Sequence, residues 1–234
     1  MGNGFRKAFA ALVLFGASFG YVEAAVVVYL RAIYDPARAS LRPDGQRGEL
    51  FPLITLDQLR ALGPDHTHRL GVEVGREAMT LLMLSAAALA VARNSREWLA
   101  AFVIAFGVWD IFFYLFLKVL IDWPASLWTW DILFLIPVPW AAPVLAPVLV
   151  SIVMIAGGAT VLWRERRGGR VPLNWKRWMW LTAAGLVVVV SFTWDYPHLA
   201  AGGAPRGYPW WLLGAGLMTG CVVVADLLRP RFDR

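Results

Sequence analysis

Six stretches of the 234-residue chain are apolar with few interruptions, near 9–30, 71–92, 98–121, 141–163, 178–194 and 210–228. Each is close to the roughly 20 helical residues that cross a bilayer core of about 30 Å. Polar residues gather between the stretches instead of alternating within them, which predicts helices with apolar outer faces. The expected fold is an all-α integral membrane protein, a six-helix transmembrane bundle forming a single domain over 1–234, with an external loop at 31–70. A secretory signal is the weaker reading of the first stretch, because its apolar run continues through Val26, Val27, Val28 and Leu30.

Two segments do not follow this pattern. Residues 130–140, WDILFLIPVPW, are apolar yet precede a complete fourth span, and Pro137, Pro139, Pro143 and Pro147 oppose regular helix. They predict a re-entrant or interfacial element on the extracytoplasmic side, placed to act as a lid, since irregular backbone at membrane depth must be satisfied by protein or a polar cavity. In residues 50–62, LFPLITLDQLRAL, the apolar positions recur at nearly helical spacing, which fits a short amphipathic helix or an ordered loop.

Composition sharpens the membrane assignment. With 59% hydrophobic and 16% charged residues and 13 tryptophans, the chain lies outside the range of soluble domains. The net charge of +6 resides largely in short connections and termini. Arg6, Lys7, Arg93, Arg96, Arg164, Arg166, Arg167, Arg170, Lys176, Arg177, Arg229, Arg231 and Arg234 all fall on one side of a six-span arrangement. The positive-inside rule makes that side cytoplasmic, with both termini inside a multi-pass protein of the cytoplasmic (inner) membrane. The same distribution argues against nucleic acid, leaving membrane lipids and a lipid-like small molecule as the expected partners. The lone Cys221 forms no internal disulfide, no dinucleotide, phosphate-loop or zinc motif is present, and neither cofactor nor metal is expected.

The candidate chemistry lies inside the spans, where an ionisable side chain is costly and is read first as functional. Glu23 follows Gly16 and Gly20, a small-residue stripe that admits a neighbouring helix. Glu73, Arg76, Glu77 and Thr80 share one face of the second span, while Asp110 and Tyr114 share a face of the third with Gly107. Four carboxylates, Glu23, Glu73, Glu77 and Asp110, thus stand against Arg76, with Lys118 a second cation nearer the outer boundary. Asp131, Asp195 and His198 could close the group from outside. A purely structural ion network tying Glu23, Glu73 and Asp110 to Arg76 is the plain alternative. His66 and His68 read as loop residues, and Met79 and Met83 as packing.

Three functions follow. The leading one is an enzyme acting on a lipid-like or isoprenoid substrate by carboxylic acid–base chemistry in the extracytoplasmic half of the bilayer. Glu23, Glu77 and Asp110 would be catalytic, and Arg76, Glu73, Tyr114, Trp109, Asp131 and Trp140 would bind substrate. Phe112 and Phe113 would add to the aromatic lining. The alternatives are a transporter or capture subunit for a small cation or polar solute, and an accessory subunit of a membrane complex.

Overall fold

The computed structural model describes residues 3–41, 50–51 and 53–228. Arg229, Arg231 and Arg234, whose charges entered the topology argument, lie outside the described residues. Six helices are long and apolar enough to cross a membrane. The elements are α1 (Asn3–Leu41), α2 (Leu56–Ala61), α3 (Pro64–Val91), α4 (Ser95–Ile121), β1 (Trp130–Phe134), β2 (Trp140–Pro143), α5 (Leu145–Arg166), α6 (Trp175–Thr193), α7 (Tyr196–Ala200) and α8 (Trp210–Leu228).

Two expected boundaries move. Helix α1 is continuous for 39 residues and passes well beyond the end of the apolar run at Leu30. The side chains change from apolar to polar there, and the backbone stays helical through the change. The described residues of 31–70 are therefore largely helical: the end of α1, all of α2 and the first turns of α3. Helix α2 opens on a capping box in which Gln58 N–H donates to Thr55 Oγ1 at 3.2 Å and Thr55 N–H donates to Gln58 Oε1 at 2.9 Å.

The second shift concerns the proline-rich segment, which departs from an all-α description. Strands β1 and β2 pair antiparallel, with Trp130 opposite Pro143, Asp131 opposite Ala142, Ile132 opposite Ala141 and Phe134 opposite Trp140. Pro137 and Pro139 lie in the connection, where the absence of an N–H leaves no ladder bond unmade. Pairing satisfies much of the backbone of an apolar segment that cannot be helical. Val144 N–H continues the arrangement by donating to Thr129 O at 3.0 Å, and Leu145 N–H donates to Leu127 O at 2.8 Å. For this reason α5 begins at Leu145, later than the 141 expected for the fourth span.

The main core lies among α1, α3, α4 and α5, around Leu12, Leu84, Ala101, Ile104, Ala105 and Leu162. Its close approaches depend on missing side chains. A Cβ on Gly20 would lie 2.9 Å from Trp109 O and Phe113 N, and one on Gly107 would lie 2.7 Å from Ser151 O. Helices α6 and α8 pack chiefly on each other, with Gly216 against Val188, and reach the rest through α5 and β2. Gly214 and Gly220, on the same helix, have no such neighbour within 4 Å of a built Cβ.

At the end of the bundle away from the hairpin, Asn94 caps α4 by accepting from Arg96 N–H and Glu97 N–H, each at 3.0 Å. Glu97 is fully buried and accepts from Arg93 Nε at 2.9 Å, while Arg166 Nε approaches it at 3.0 Å. Arg177 pairs with Asp226 at 2.6 Å. The basic residues at these helix ends are thus gathered on one end of the bundle.

Candidate functional site

Helix α1 brings Glu23 to α3 because Gly16 and Gly20 let α1 lie directly on α4. Glu23 is 4% exposed and is held by the Arg76 guanidinium and the Thr80 hydroxyl, both of which donate to it. Arg76 also donates to Glu73 through Nη2, and through Nε at 2.9 Å. Three members of the α3 stripe are therefore joined to α1 as one network. The fourth, Glu77, turns toward the hairpin and accepts from Leu135 N–H at 2.8 Å.

Asp110 does not join the Arg76 network that the purely structural alternative would require. Ser151 Oγ on α5 donates to it at 2.8 Å, at the contact that Gly107 makes possible, and Arg76 is bound instead by Glu23 and Glu73. One turn further along α4, the Tyr114 hydroxyl donates to Asp131 Oδ2 of β1 at 2.8 Å. Burial pushes the Asp131 carboxyl up to about 6, against the opposing pull of the Tyr114 hydroxyl and the Arg31 guanidinium. Arg31 itself lies over the Trp123 ring, 4.1 Å from its centroid.

Two adjoining cavities meet at these residues. The smaller, about 90 Å³, is lined by Glu23, Glu73, Arg76, Glu77, Thr80, Trp109, Asp110, Phe113, Tyr114 and residues of β1. The larger is a groove of about 450 Å³ between α1, α2, α3 and the hairpin. Its walls are mostly apolar, from Val27, Leu30, Leu53, Leu59 and Leu117 among others, with Arg31, Asp35, Arg38 and Asp131 as polar lining. Val27, Glu73, Glu77, Phe113 and Ile132 line both cavities. A polar pocket therefore adjoins an apolar groove, with Glu73 and Glu77 at the junction.

Of the residues anticipated, Glu23, Glu73, Arg76, Glu77, Trp109, Asp110 and Tyr114 line the small cavity, and Asp131 lines the groove. Trp140 lines neither of these cavities; its ring packs on Phe134 and Phe192, with centroids 5.6 and 6.0 Å away. Phe112 also lines neither. Lys118 pairs with Asp122 at 2.6 Å and does not join the carboxylates. Asp195 and His198 are engaged with Arg206, at 3.2 and 2.5 Å, while their neighbours Tyr196 and Ala200 line the groove. His66 lies against Tyr34, and Met79 and Met83 are exposed on the outer face of α3. Ser151 and Arg31 are the residues not anticipated. Arg31 continues the helical spacing set by Glu23 and Val27, a signal hidden by ending the first span at Leu30.

Comparison with known proteins finds no matching family model, no similar curated protein and no similar solved structure.

Proposed function

We propose that this chain is a membrane-embedded enzyme that acts on a lipid-like substrate by carboxylic acid–base chemistry. In this reading it is a multi-pass protein of the cytoplasmic membrane with both termini inside, and the hairpin covers an extracytoplasmic site. The observation that carries the proposal is the junction at Glu73 and Glu77 between a polar pocket and a much larger apolar groove. An amphiphile needs that division of surface: a chain in the groove, and a reacting polar group where fixed polar side chains converge.

The hydrogen bonds divide the labour. Glu23, Glu73, Arg76 and Thr80 hold one another, which suits them to positioning. Glu77 and Asp110 each accept one neutral donor, from Leu135 N–H and Ser151 Oγ, and retain acceptor capacity for a proton of the substrate. Trp109 and Phe113 supply the aromatic wall beside them. Toward the opposite end of the bundle, Leu84, Ala101, Ile104 and Ala105 are fully buried and apolar. That favours chemistry in place over passage of a polar solute.

The test is turnover of a total membrane lipid extract by the purified protein in nanodiscs, followed by mass spectrometry. Glu77→Gln and Asp110→Asn should each lower product formation by roughly 100-fold or more while keeping the fold. Full turnover in both variants would remove acid–base chemistry from this site.

A further inference from the structure

The hydrogen-bonding inventory of the small cavity bears on the head group of the substrate, and the inference rests on the lipid-enzyme reading above. Glu23, Glu73, Glu77 and Asp110 line the cavity together with Arg76, whose guanidinium is already bound by Glu23 and Glu73. A phosphate or carboxylate head would enter among acceptors of its own sign, with the lining cation committed elsewhere.

Donors in and beside the cavity are nearly all in use. Thr80 Oγ donates to Glu23, Ser151 Oγ to Asp110, and Tyr114 OH to Asp131. Among the described side chains that line the cavity itself, Trp109 is the exception: it is 7% exposed and its buried indole N–H has no acceptor, while Arg31 Nε, likewise without one, lies in the adjoining groove. A buried donor without a partner is a standing cost that an incoming acceptor removes. An ammonium head has donors only and cannot satisfy it. A hydroxyl both donates to a carboxylate and accepts from an indole N–H.

We infer that the site takes a long-chain alcohol, its hydroxyl among Glu77, Asp110 and Trp109 and its chain along the groove past Leu30 and Leu59. The experiment compares dodecanol, dodecylamine and dodecyl phosphate at equal mole fraction in phosphatidylcholine nanodiscs, with ligand occupancy counted by native mass spectrometry. Dodecanol should bind about tenfold better than either other probe. Trp109→Phe keeps an aromatic ring but removes the N–H; it should weaken dodecanol by about fivefold to tenfold and leave dodecylamine unchanged. Equal or better binding of dodecyl phosphate, or of dodecylamine, would overturn the alcohol assignment while the groove reading stands. So would dodecanol binding indifferent to Trp109→Phe. If none of the three exceeds its occupancy on a Glu77→Trp variant that fills the junction, the groove reading falls as well.

Discussion

Asp131 is the acid of this group that lies on the hairpin and not on a spanning helix, and it is held by Tyr114 from α4. Burial raises its pKa from 3.8 to about 6, so the folded protein binds a proton there over a range in which the unfolded chain has released it. The native state has the larger proton count in that interval. Its contribution to stability is therefore complete below pH about 4 and lost as the pH rises through about 6. Asp131→Asn should flatten this part of the pH profile of thermal unfolding in detergent; an unchanged slope would show that the carboxyl does not titrate as described. The α3 stripe is legible in the sequence because helical spacing alone places Glu73, Arg76, Glu77 and Thr80 together. The pairing of Tyr114 with Asp131 is not, since it depends on how the chain turns between Ile121 and Trp130. Ser151 is equally hidden: a lone serine in an apolar helix ordinarily bonds its own backbone. Its role follows only from the approach of α5 to Gly107.

Among the elements, the contact of α1 with α4 decides whether Glu23 reaches Arg76. At Gly20 a Cβ would meet backbone atoms of Trp109 and Phe113, which cannot rotate away as a side-chain end would. Gly20→Ala should cost about 1–3 kcal/mol by thermal or denaturant unfolding, with a matching loss of activity as the helices separate. Gly185→Ala on α6 is the control, because nothing lies within 4 Å of its built Cβ; it should be neutral or slightly stabilising. Equal effects at the two positions would contradict the packing argument. The spans and this small-residue stripe could be read in advance because both are periodic within one helix. The hairpin could not: proline argues against helix without saying which partner an extended segment will find, and the register between Trp130 and Pro143 is a tertiary property. The extension of α1 is not legible either, because the turn to polar residues after Leu30 ends the apolar run without ending the helix.

For the molecule as a whole, the grouping of Arg93, Arg166 and Glu97 at one end and the hairpin at the other gives the bundle a polarity that can be measured. In a Cys221→Ser background, Asp57→Cys on α2 should react with an impermeant maleimide in intact cells. Arg170→Cys, between α5 and α6, should react only after permeabilisation. The reverse pattern would invert the bundle and place the site in the cytoplasmic half. The six long apolar helices and the charge asymmetry come directly from composition along the chain. The way α6 and α8 form a pair attached through α5 and β2 does not, because six similar apolar stretches carry little information about which packs on which.

The groove between α1, α2, α3 and the hairpin also determines the concentration that matters to such a protein. On the lipid-enzyme proposal, a hydrophobic molecule seated there would come from the surrounding leaflet, its supply set by its share of the lipid and not by its amount per volume of water. Saturation would then be a two-dimensional property: inert lipid added at fixed total substrate would slow the reaction by surface dilution, and the cell could regulate flux through bilayer composition without altering the protein.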